Sequence, residues 1–172
     1  MGPLISRADI GQALADARAR TLAAYDHLPD QRLAVPLLAV INPPLWELGH
    51  IAWFEERWCL RRQADGSWGP SLRRDADALY DSSAIPHAAR WSLPLPDRCG
   101  TRAYMEGVRA ATLKALRLAD ETALDLFRLA LLHEDMHGEA LLMTLQTLAY
   151  LAPACQPAPA DEPPCSAWSG DA

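Results

Sequence analysis

DLFRLALLHEDMHGEALLMTLQTL, residues 125–148, is the segment that decides the fold class of this chain. Its apolar residues recur at the three- and four-residue spacing of an α-helix, which predicts one helix from about Glu121 to Leu151. One face of that helix carries Leu126, Leu129, Ala130, Ala140, Leu141, Thr144 and Leu148. Because His133 and His137 are four residues apart, they lie on this face one turn from each other.

A second segment, NPPLWELGHIAWFEERW at residues 42–58, places a third histidine on an apolar helix. Asn42 followed by two prolines is a helix-start signal, with an N-cap side chain and prolines that the first turn tolerates. The pattern predicts a helix from Leu45 to about Arg62. His50 shares one face of this helix with Trp46, Trp53 and Arg57.

Two more helices complete the predicted fold. Helical spacing recurs from about Ala8 to His27 and from about Thr101 to Leu118. Residues 63–100 form a long connection, whose tryptophans and apolar residues favour an ordered, packed loop. We therefore predict an all-α protein, a four-helix bundle with a long crossover between its second and third helices. Residues 1–151 are expected to form this domain and the proline-rich residues 152–172 a linker or tail.

Composition narrows the classes of function. The chain has 172 residues, of which 50% are hydrophobic, and this suits one folded domain. Its formal net charge is −6 and it has no basic block, so a nucleic-acid role has no electrostatic support. Neither an apolar run of transmembrane length nor a signal-peptide pattern is found. The four cysteines are irregularly spaced, and we expect reduced thiols of a cytoplasmic protein and no cysteine-built zinc site.

The three histidines predict a metal site. Bundles build such sites from inward side chains of facing helices, and His50, His133 and His137 would give three ligands with coordination positions left open. Histidines on apolar faces are, alternatively, often hydrogen-bonded core residues. HEDMH also fits the H-E-x-x-H pattern of zincins, in which Glu134 would be the general base beside a zinc-bound water. The distinctive motif around His50, and the lack of a zincin-like strand and downstream ligand, weigh against a zincin.

Both histidine motifs resemble those of a known family. NPPLWELGHIAWFEERW, followed by HEDMHGE, is similar to the DinB-like N-terminal domain of the ergothioneine-synthase group, and DSSAIPHAARWSLPLP at residues 81–96 resembles the connecting loop of that family. The likeness covers about residues 8 to 151. These nonheme iron enzymes join sulfur to hercynine, the trimethylated histidine betaine. The segment HEDMHGEALLMTLQ is more similar in sequence to the selenoneine-synthase branch, which makes a carbon–selenium bond from a selenosugar.

The resemblance implies a role for each matching residue but assigns no catalytic residue. His50, His133 and His137 would hold Fe(II), with the remaining positions for O₂ and the substrate imidazole. Arg90 is a candidate contact for a substrate anion, with a solvated loop arginine as the alternative. Met136 stands where other branches carry a glutamine that holds the substrate imidazole, so it is a second candidate substrate contact. Three residues are expected to support or pack the site without ligating a metal: Tyr80, Trp91 and Glu139.

The resemblance also implies a larger catalytic assembly. In this family, a C-terminal domain resembling the formylglycine-generating enzyme supplies much of the substrate pocket. We expect such a domain in cis or as a separate chain, and hercynine, a selenosugar or thiol donor, and O₂ as small-molecule partners. Neither nucleic acid nor a membrane is expected as a partner. The alternative function is a stand-alone DinB-like metal-binding module or a thiol transferase without this oxidative activity.

Overall fold

The computed structural model describes residues 6–26, 28–63 and 65–151 and confirms an all-α fold. Its α-helices are α1 (Arg7–Asp26), α2 (Pro44–Glu56), α3 (Ala76–Tyr80), α4 (Arg98–Leu118) and α5 (Leu124–Thr147). Within these ranges, extended pairing is limited to an isolated antiparallel bridge between Arg62 and Trp68. No helix in the described ranges is both long enough and apolar enough to cross a bilayer. The predicted linker or tail at residues 152–172 lies outside the described residues.

The start of α2 differs from the predicted one. The N-cap position is occupied by Pro43, and no side chain caps the helix. The Asn42 side chain instead accepts a hydrogen bond at 2.7 Å from Nη1 of Arg90 in the crossover. The predicted N-cap role of Asn42 is therefore wrong, because a distant arginine occupies its side-chain oxygen. At its other end, α2 continues into a π-helical segment, Arg57–Arg61.

Local hydrogen bonds make α5 shorter than predicted at both ends. The Asp120 carboxylate accepts hydrogen bonds from Thr122 Oγ1 at 2.7 Å and from the Ala123 N–H at 2.9 Å, which stabilises a turn in place of helix. At the C-terminal end, Ala149 has a φ of 51°, and the Tyr150 N–H donates at 2.8 Å to a carbonyl in the last turn of α5. This left-handed cap ends the helix.

The four long helices pack as a ring, with α1 against α5, α5 against α2, α2 against α4, and α4 against α1. The predicted long crossover joins α2 to α4, and it is tied to α2 through α3. Trp46 Nε1 donates a hydrogen bond to the Leu79 carbonyl at 2.8 Å, and Trp53 Nε1 donates one to Asp77 Oδ1 at 2.7 Å. The described part of the crossover around α3 therefore packs against α2, and its short helix is an addition to the predicted fold.

Two separate clusters of apolar side chains form the core. The first contains Ile10, Leu14, Ala17, Leu116, Leu124, Phe127 and Leu131. The second contains Tyr25, Trp46, Leu48, Ala52, Trp53, Tyr104, Met105, Val108, Leu141 and Leu145, together with residues of α3 and of the segment after α1. Along each of α1, α4 and α5, the residues of one cluster follow those of the other. The two clusters therefore occupy different halves of the bundle, and their burial provides most of its stability.

A layer of four buried charged side chains lies between the two clusters. Arg18 of α1, Glu55 of α2, Arg109 of α4 and Glu134 of α5 are each at most 8% exposed. Arg18 donates to Glu134 at 2.7 Å and to Glu55 at 2.8 Å. Arg109 donates to Glu55 at 2.9 Å and to Glu134 at 2.5 Å. Each long helix thus contributes one charge to a closed neutral ring, which we name the charge tetrad.

The charge tetrad specifies the register of the helices. Desolvation of buried charges offsets much of their attraction, so the net gain in stability is small. The remaining guanidinium donors are satisfied by backbone, since Arg18 Nη1 donates to the Met105 carbonyl at 2.9 Å and Arg109 Nη1 donates to the Leu14 carbonyl. Burial raises the pKa of Glu55, but hydrogen bonds from Arg109 and the charge of Arg18 outweigh it and hold that pKa below its usual range. A helix that slipped by one turn would leave a buried charge without its partner.

Breaking the charge tetrad should lower the free energy of unfolding more than breaking a surface ion pair does. We expect Glu134→Gln to lower the free energy of unfolding by about 3–5 kcal/mol, because two guanidinium groups would then share one carboxylate. Chemical denaturation followed by circular dichroism measures the change. Asp26→Asn is the matched control, since it removes a half-exposed pair with Arg102 at 2.9 Å and should cost at most about 1 kcal/mol. Equal losses in the two variants would contradict the role of the tetrad.

Candidate metal centre

The three predicted histidines converge in the structure. His50 of α2 meets His133 and His137 of α5, and one ring nitrogen of each lies within 4.8 Å of the other two. The ring centroids are 5.1, 4.9 and 4.5 Å apart. In the part of the chain that the structure describes, no other set of three His, Cys, Asp or Glu side chains converges in this way. These three imidazoles could therefore hold one metal ion.

Hydrogen bonds fix the tautomers of two of these rings. His50 Nδ1 lies 2.8 Å from the carbonyl oxygen of Tyr80, and His137 Nδ1 lies 2.9 Å from Oε1 of Glu47. A carbonyl and a carboxylate accept hydrogen bonds, so each Nδ1 carries a proton and donates it. Each Nε2 is then the ring nitrogen left for a metal ion. Outer hydrogen bonds of this kind are the usual way in which proteins orient histidine ligands.

Stacking, not hydrogen bonding, holds the third ring. The His133 ring stacks on Phe54, with centroids 3.6 Å apart and planes 6° from parallel. Its Nδ1 is buried and has no hydrogen-bond partner among the described residues. An unpaired buried nitrogen costs free energy, and a metal ion that accepts its lone pair would remove that cost. This orphaned nitrogen fits a metal ligand better than a hydrogen-bonded core histidine.

Burial keeps two of the imidazoles, those of His50 and His133, neutral. It lowers the pKa of His50 to about 4 and outweighs the hydrogen bond with the Tyr80 carbonyl, which acts in the opposite direction. It also lowers the pKa of His133 to about 2, and the neighbouring His137 and His50 act in the same direction. Both rings are therefore uncharged at neutral pH, in the form that binds metals. Imidazole nitrogen donors suit borderline divalent ions such as Fe(II) and Zn(II).

Gly49 allows α3 to approach the site. A Cβ atom added at Gly49 would lie 2.2 Å from Cε1 of Tyr80, where no atom can fit. The buried Tyr80 ring therefore packs where only a glycine leaves room, and its backbone carbonyl can reach His50. The same end of α3 is held by Trp46, which donates to the Leu79 carbonyl. The helix that sequence analysis missed thus helps to position a predicted ligand.

The zincin alternative fails because Glu134 has another role. Its side chain is buried, and its two carboxylate oxygens accept hydrogen bonds from Arg18 and Arg109 in the charge tetrad. A zincin general base needs a carboxylate oxygen that can take a proton from a metal-bound water. Guanidinium groups occupy both oxygens of Glu134, so it is a structural residue in this bundle.

The two predicted substrate contacts lie beside the histidine cluster. The guanidinium carbon of Arg90 lies 3.9 Å from the ring centroid of Trp46, and that ring stacks on His50 at 4.8 Å. Arg90 is half-buried. Met136 is 54% exposed on α5, between the two histidine ligands in sequence. Their contact with a substrate remains a prediction.

The three predicted supporting residues have different environments. Tyr80 is buried and stacks on Tyr104 with centroids 6.0 Å apart, and Trp91 donates a hydrogen bond to the Val35 carbonyl at 2.9 Å. Both are packing residues, as expected. Glu139 is exposed on α5.

Sequence analysis missed Glu47, the carboxylate that contacts a candidate ligand. It precedes His50 by three residues, which places both side chains on one face of α2. An acidic residue on the buried face of an apolar helix was the available signal. No sequence pattern linked Glu47 to its partner histidine on α5, because the two residues are 90 positions apart.

Filling the space beside Gly49 should disturb the site. We expect Gly49→Ala to lower the free energy of unfolding by about 1–3 kcal/mol, because Tyr80 must move away from α2. Gly107→Ala is the matched control in α4, where an added Cβ has nothing within 4 Å and should stabilise the helix by about 0.5–1 kcal/mol. Chemical denaturation of both variants measures the two effects. A neutral or stabilising Gly49→Ala would contradict the packing described here.

Comparison with known proteins identifies the family of this chain. The DinB superfamily pattern matches residues 13–141. The chain is also similar to proteins named hercynine oxygenase. The one from Mycolicibacterium thermoresistibile is 35% identical over 140 residues, which is 81% of this chain and 31% of the relative. The one from Mycobacterium tuberculosis is 36% identical over 133 residues, covering 77% and 31%, and the one from Mycolicibacterium smegmatis is 34% identical over 143 residues, covering 83% and 33%.

This chain therefore spans about a third of the length of the relatives that it matches. The superfamily match, by contrast, covers most of the chain, from within α1 to within α5, and includes all three converging histidines. This chain belongs to the DinB superfamily.

Proposed function

We propose that this bundle is the iron-binding N-terminal part of an enzyme that uses Fe(II) and O₂ to form a carbon–selenium or carbon–sulfur bond on hercynine. The observation that carries the proposal is the convergence of His50, His133 and His137, one ring nitrogen of each lying within 4.8 Å of the other two. The names of the relatives support hercynine as the substrate. The motif HEDMHGE supports the ergothioneine or selenoneine type of reaction.

His50, His133 and His137 would hold the iron through one nitrogen each. As neutral donors they leave the ion its full positive charge and leave positions free for small-molecule reactants. When bound, Fe(II) would supply the oxidative chemistry that joins the chalcogen to the imidazole ring. The remaining roles that we propose for this chain in the reaction belong to its own side chains.

Aromatic side chains of α2 enclose the site on one side. Trp46 and Trp53 stack on His50 with ring centroids 4.8 and 5.6 Å away, and Phe54 stacks on His133. These contacts limit rotation of the histidine rings and exclude water from that side. A fixed, dry wall of this kind orients a bound substrate and protects reactive species from side reactions.

Arg90 is the candidate contact for a substrate carboxylate. Its guanidinium group is held by the Asn42 oxygen and by the Trp46 ring, while its buried Nε has no hydrogen-bond partner among the described residues. A fixed guanidinium suits carboxylate recognition. We propose that it binds hercynine or the chalcogen donor through that group.

Met136 and the resemblance to the selenoneine branch are the basis for favouring a selenium donor over a sulfur donor. Its thioether replaces the glutamine that holds the substrate imidazole in other branches, and it gives a softer, less hydrogen-bonding surface. Resemblance to the selenoneine branch carries most of this part of the proposal. Softness of the side chain alone does not select selenium.

A second domain is part of the proposal. His133 and His137 are partly exposed, and Met136 beside them is more than half exposed. We propose that a C-terminal domain resembling the formylglycine-generating enzyme covers this face, in cis or as a separate chain. Residues 152–172 would then act as the linker.

Removal of one ligand should abolish tight metal binding without unfolding the bundle. We expect His137→Ala to lose high-affinity Fe(II) binding, because two imidazoles and water do not hold the ion well. The fold should persist, since the apolar clusters supply most of its stability. Anaerobic isothermal titration calorimetry and circular dichroism measure the two properties. A globally unfolded variant would identify His137 as a structural residue.

Turnover should require the second domain. Joined to a matching C-terminal domain, the bundle should convert hercynine with a selenosugar and O₂ to a carbon–selenium product. The assay combines anaerobically prepared protein, Fe(II), hercynine and either a selenosugar or a cysteine-type thiol, and then adds O₂ before mass spectrometry. The His137→Ala variant in the same fusion is the control.

The products would distinguish the alternatives. Efficient sulfoxide formation from the cysteine-type donor, with no selenium product, would assign the protein to the ergothioneine branch. Bound iron without product from any donor would favour a stand-alone DinB-like metal-binding module or a thiol transferase.

A further inference from the structure

Glu47 differs from the other buried glutamates of the described residues. Two of these, Glu55 and Glu134, are each bound by two guanidinium groups of the charge tetrad. A third, Glu56, accepts three hydrogen bonds, from the Ser71 hydroxyl at 3.0 Å, the Leu72 N–H at 2.5 Å and the Tyr104 hydroxyl at 2.5 Å.

The Glu47 carboxylate, at 1% exposure, has one hydrogen-bond partner in the described structure, Nδ1 of His137 at 2.9 Å. Its Oε2 is buried without a partner. No arginine or lysine forms an ion pair with it within the described residues.

We propose that Glu47 is the positioning residue of the metal centre. It holds His137 with Nε2 directed to the ion and supplies a buried negative charge that a bound divalent cation would compensate. The inference rests on the metal-binding part of the proposed function and is independent of the substrate.

The geometry of α2 supports this role. Glu47 and His50 are three residues apart, so one helix face provides both a ligand and the support of a ligand on α5. The hydrogen bond spans 90 residues of sequence and joins α2 to α5 directly at the site. Because the side chain of Glu47 is 1% exposed and that of His137 is 12% exposed, water competes little for the bond.

The surroundings of Glu47 leave its charge largely uncompensated. Burial, and then the charge of Glu47, raise the pKa of Tyr25, whose buried hydroxyl also lacks a partner. Arg90 is close enough for Glu47 to act on its pKa but forms no ion pair with it. A buried carboxylate of this kind is costly unless a cation lies nearby. A divalent ion on Nε2 of His137 would be that cation, one imidazole away.

The Glu47→Gln variant distinguishes a role of Glu47 in positioning His137 from a role in folding. The amide keeps an oxygen for His137 but removes the charge. We expect Co(II) and Fe(II) affinity to fall about 10- to 100-fold and the Co(II) ligand-field spectrum to change. The denaturation midpoint of the metal-free protein, measured in EDTA, should stay the same or rise, because a buried unpaired charge is removed. Glu106→Gln on α4 is the matched control for net charge at an exposed position, and it should change neither property.

Combining Glu47→Gln with each of two histidine variants tests whether its effect on metal affinity depends on His137. The loss of Co(II) or Zn(II) affinity caused by Glu47→Gln should persist in His133→Ala, where His137 still binds. It should shrink to about twofold or less in His137→Ala, as expected for residues that act as one unit. Equal losses in both backgrounds would overturn the positioning role.

The outcomes separate this inference from the proposed function. Tight metal binding by the wild type with unchanged binding by Glu47→Gln would overturn only the role of Glu47. A lower denaturation midpoint with unchanged affinity would show a structural glutamate and would also overturn it. No metal uptake by the wild type would overturn the metal site itself and this inference with it.

Discussion

The charge tetrad is the interaction on which the rest of the bundle depends. Two arginines and two glutamates, one from each long helix, are buried between two apolar clusters and satisfy one another in a closed ring. Apolar surfaces pack in many registers at similar free energy, whereas a buried charge tolerates only the register in which its partner is present. The tetrad therefore gives a unique alignment to helices that hydrophobic burial alone would hold less specifically.

That alignment also sets the candidate metal centre, because the two sites share helices. Glu134 of the tetrad lies in sequence between His133 and His137, and Glu55 follows His50 by five residues. On both α2 and α5, one face contributes a glutamate to the tetrad and another face carries the histidines. The register that pairs the charges is thus the register that brings the imidazoles within 4.8 Å. Contacts of α3 and of Glu47 then set the orientation of individual rings.

Much of this structure follows from local sequence patterns, and the remainder depends on contacts between distant residues. Helical periodicity predicted the long helices, and the spacing of His133 and His137 predicted their shared face, because both are properties of a single helix. Asn42 was misread as an N-cap, since it matches a local motif but has an arginine partner far away in sequence. Glu134 matches a zincin motif, an alternative that the sequence disfavoured, and its partner Arg18 is also distant in sequence. Glu47 was overlooked for the same reason: its significance comes from a histidine on another helix.

The way in which each histidine is held has a consequence for protein design. A backbone carbonyl of α3, a carboxylate of α2 and the ring of Phe54 each orient one of the imidazoles. Transplanting only the three histidines onto another helical scaffold would reproduce their spacing but leave their rotamers free. A faithful graft would need Gly49 and the short α3 as well as Glu47, because the carbonyl can approach only where the glycine leaves room. The smallest transferable unit is thus two helices with a third segment docked against them, and it cannot be reduced to a sequence motif.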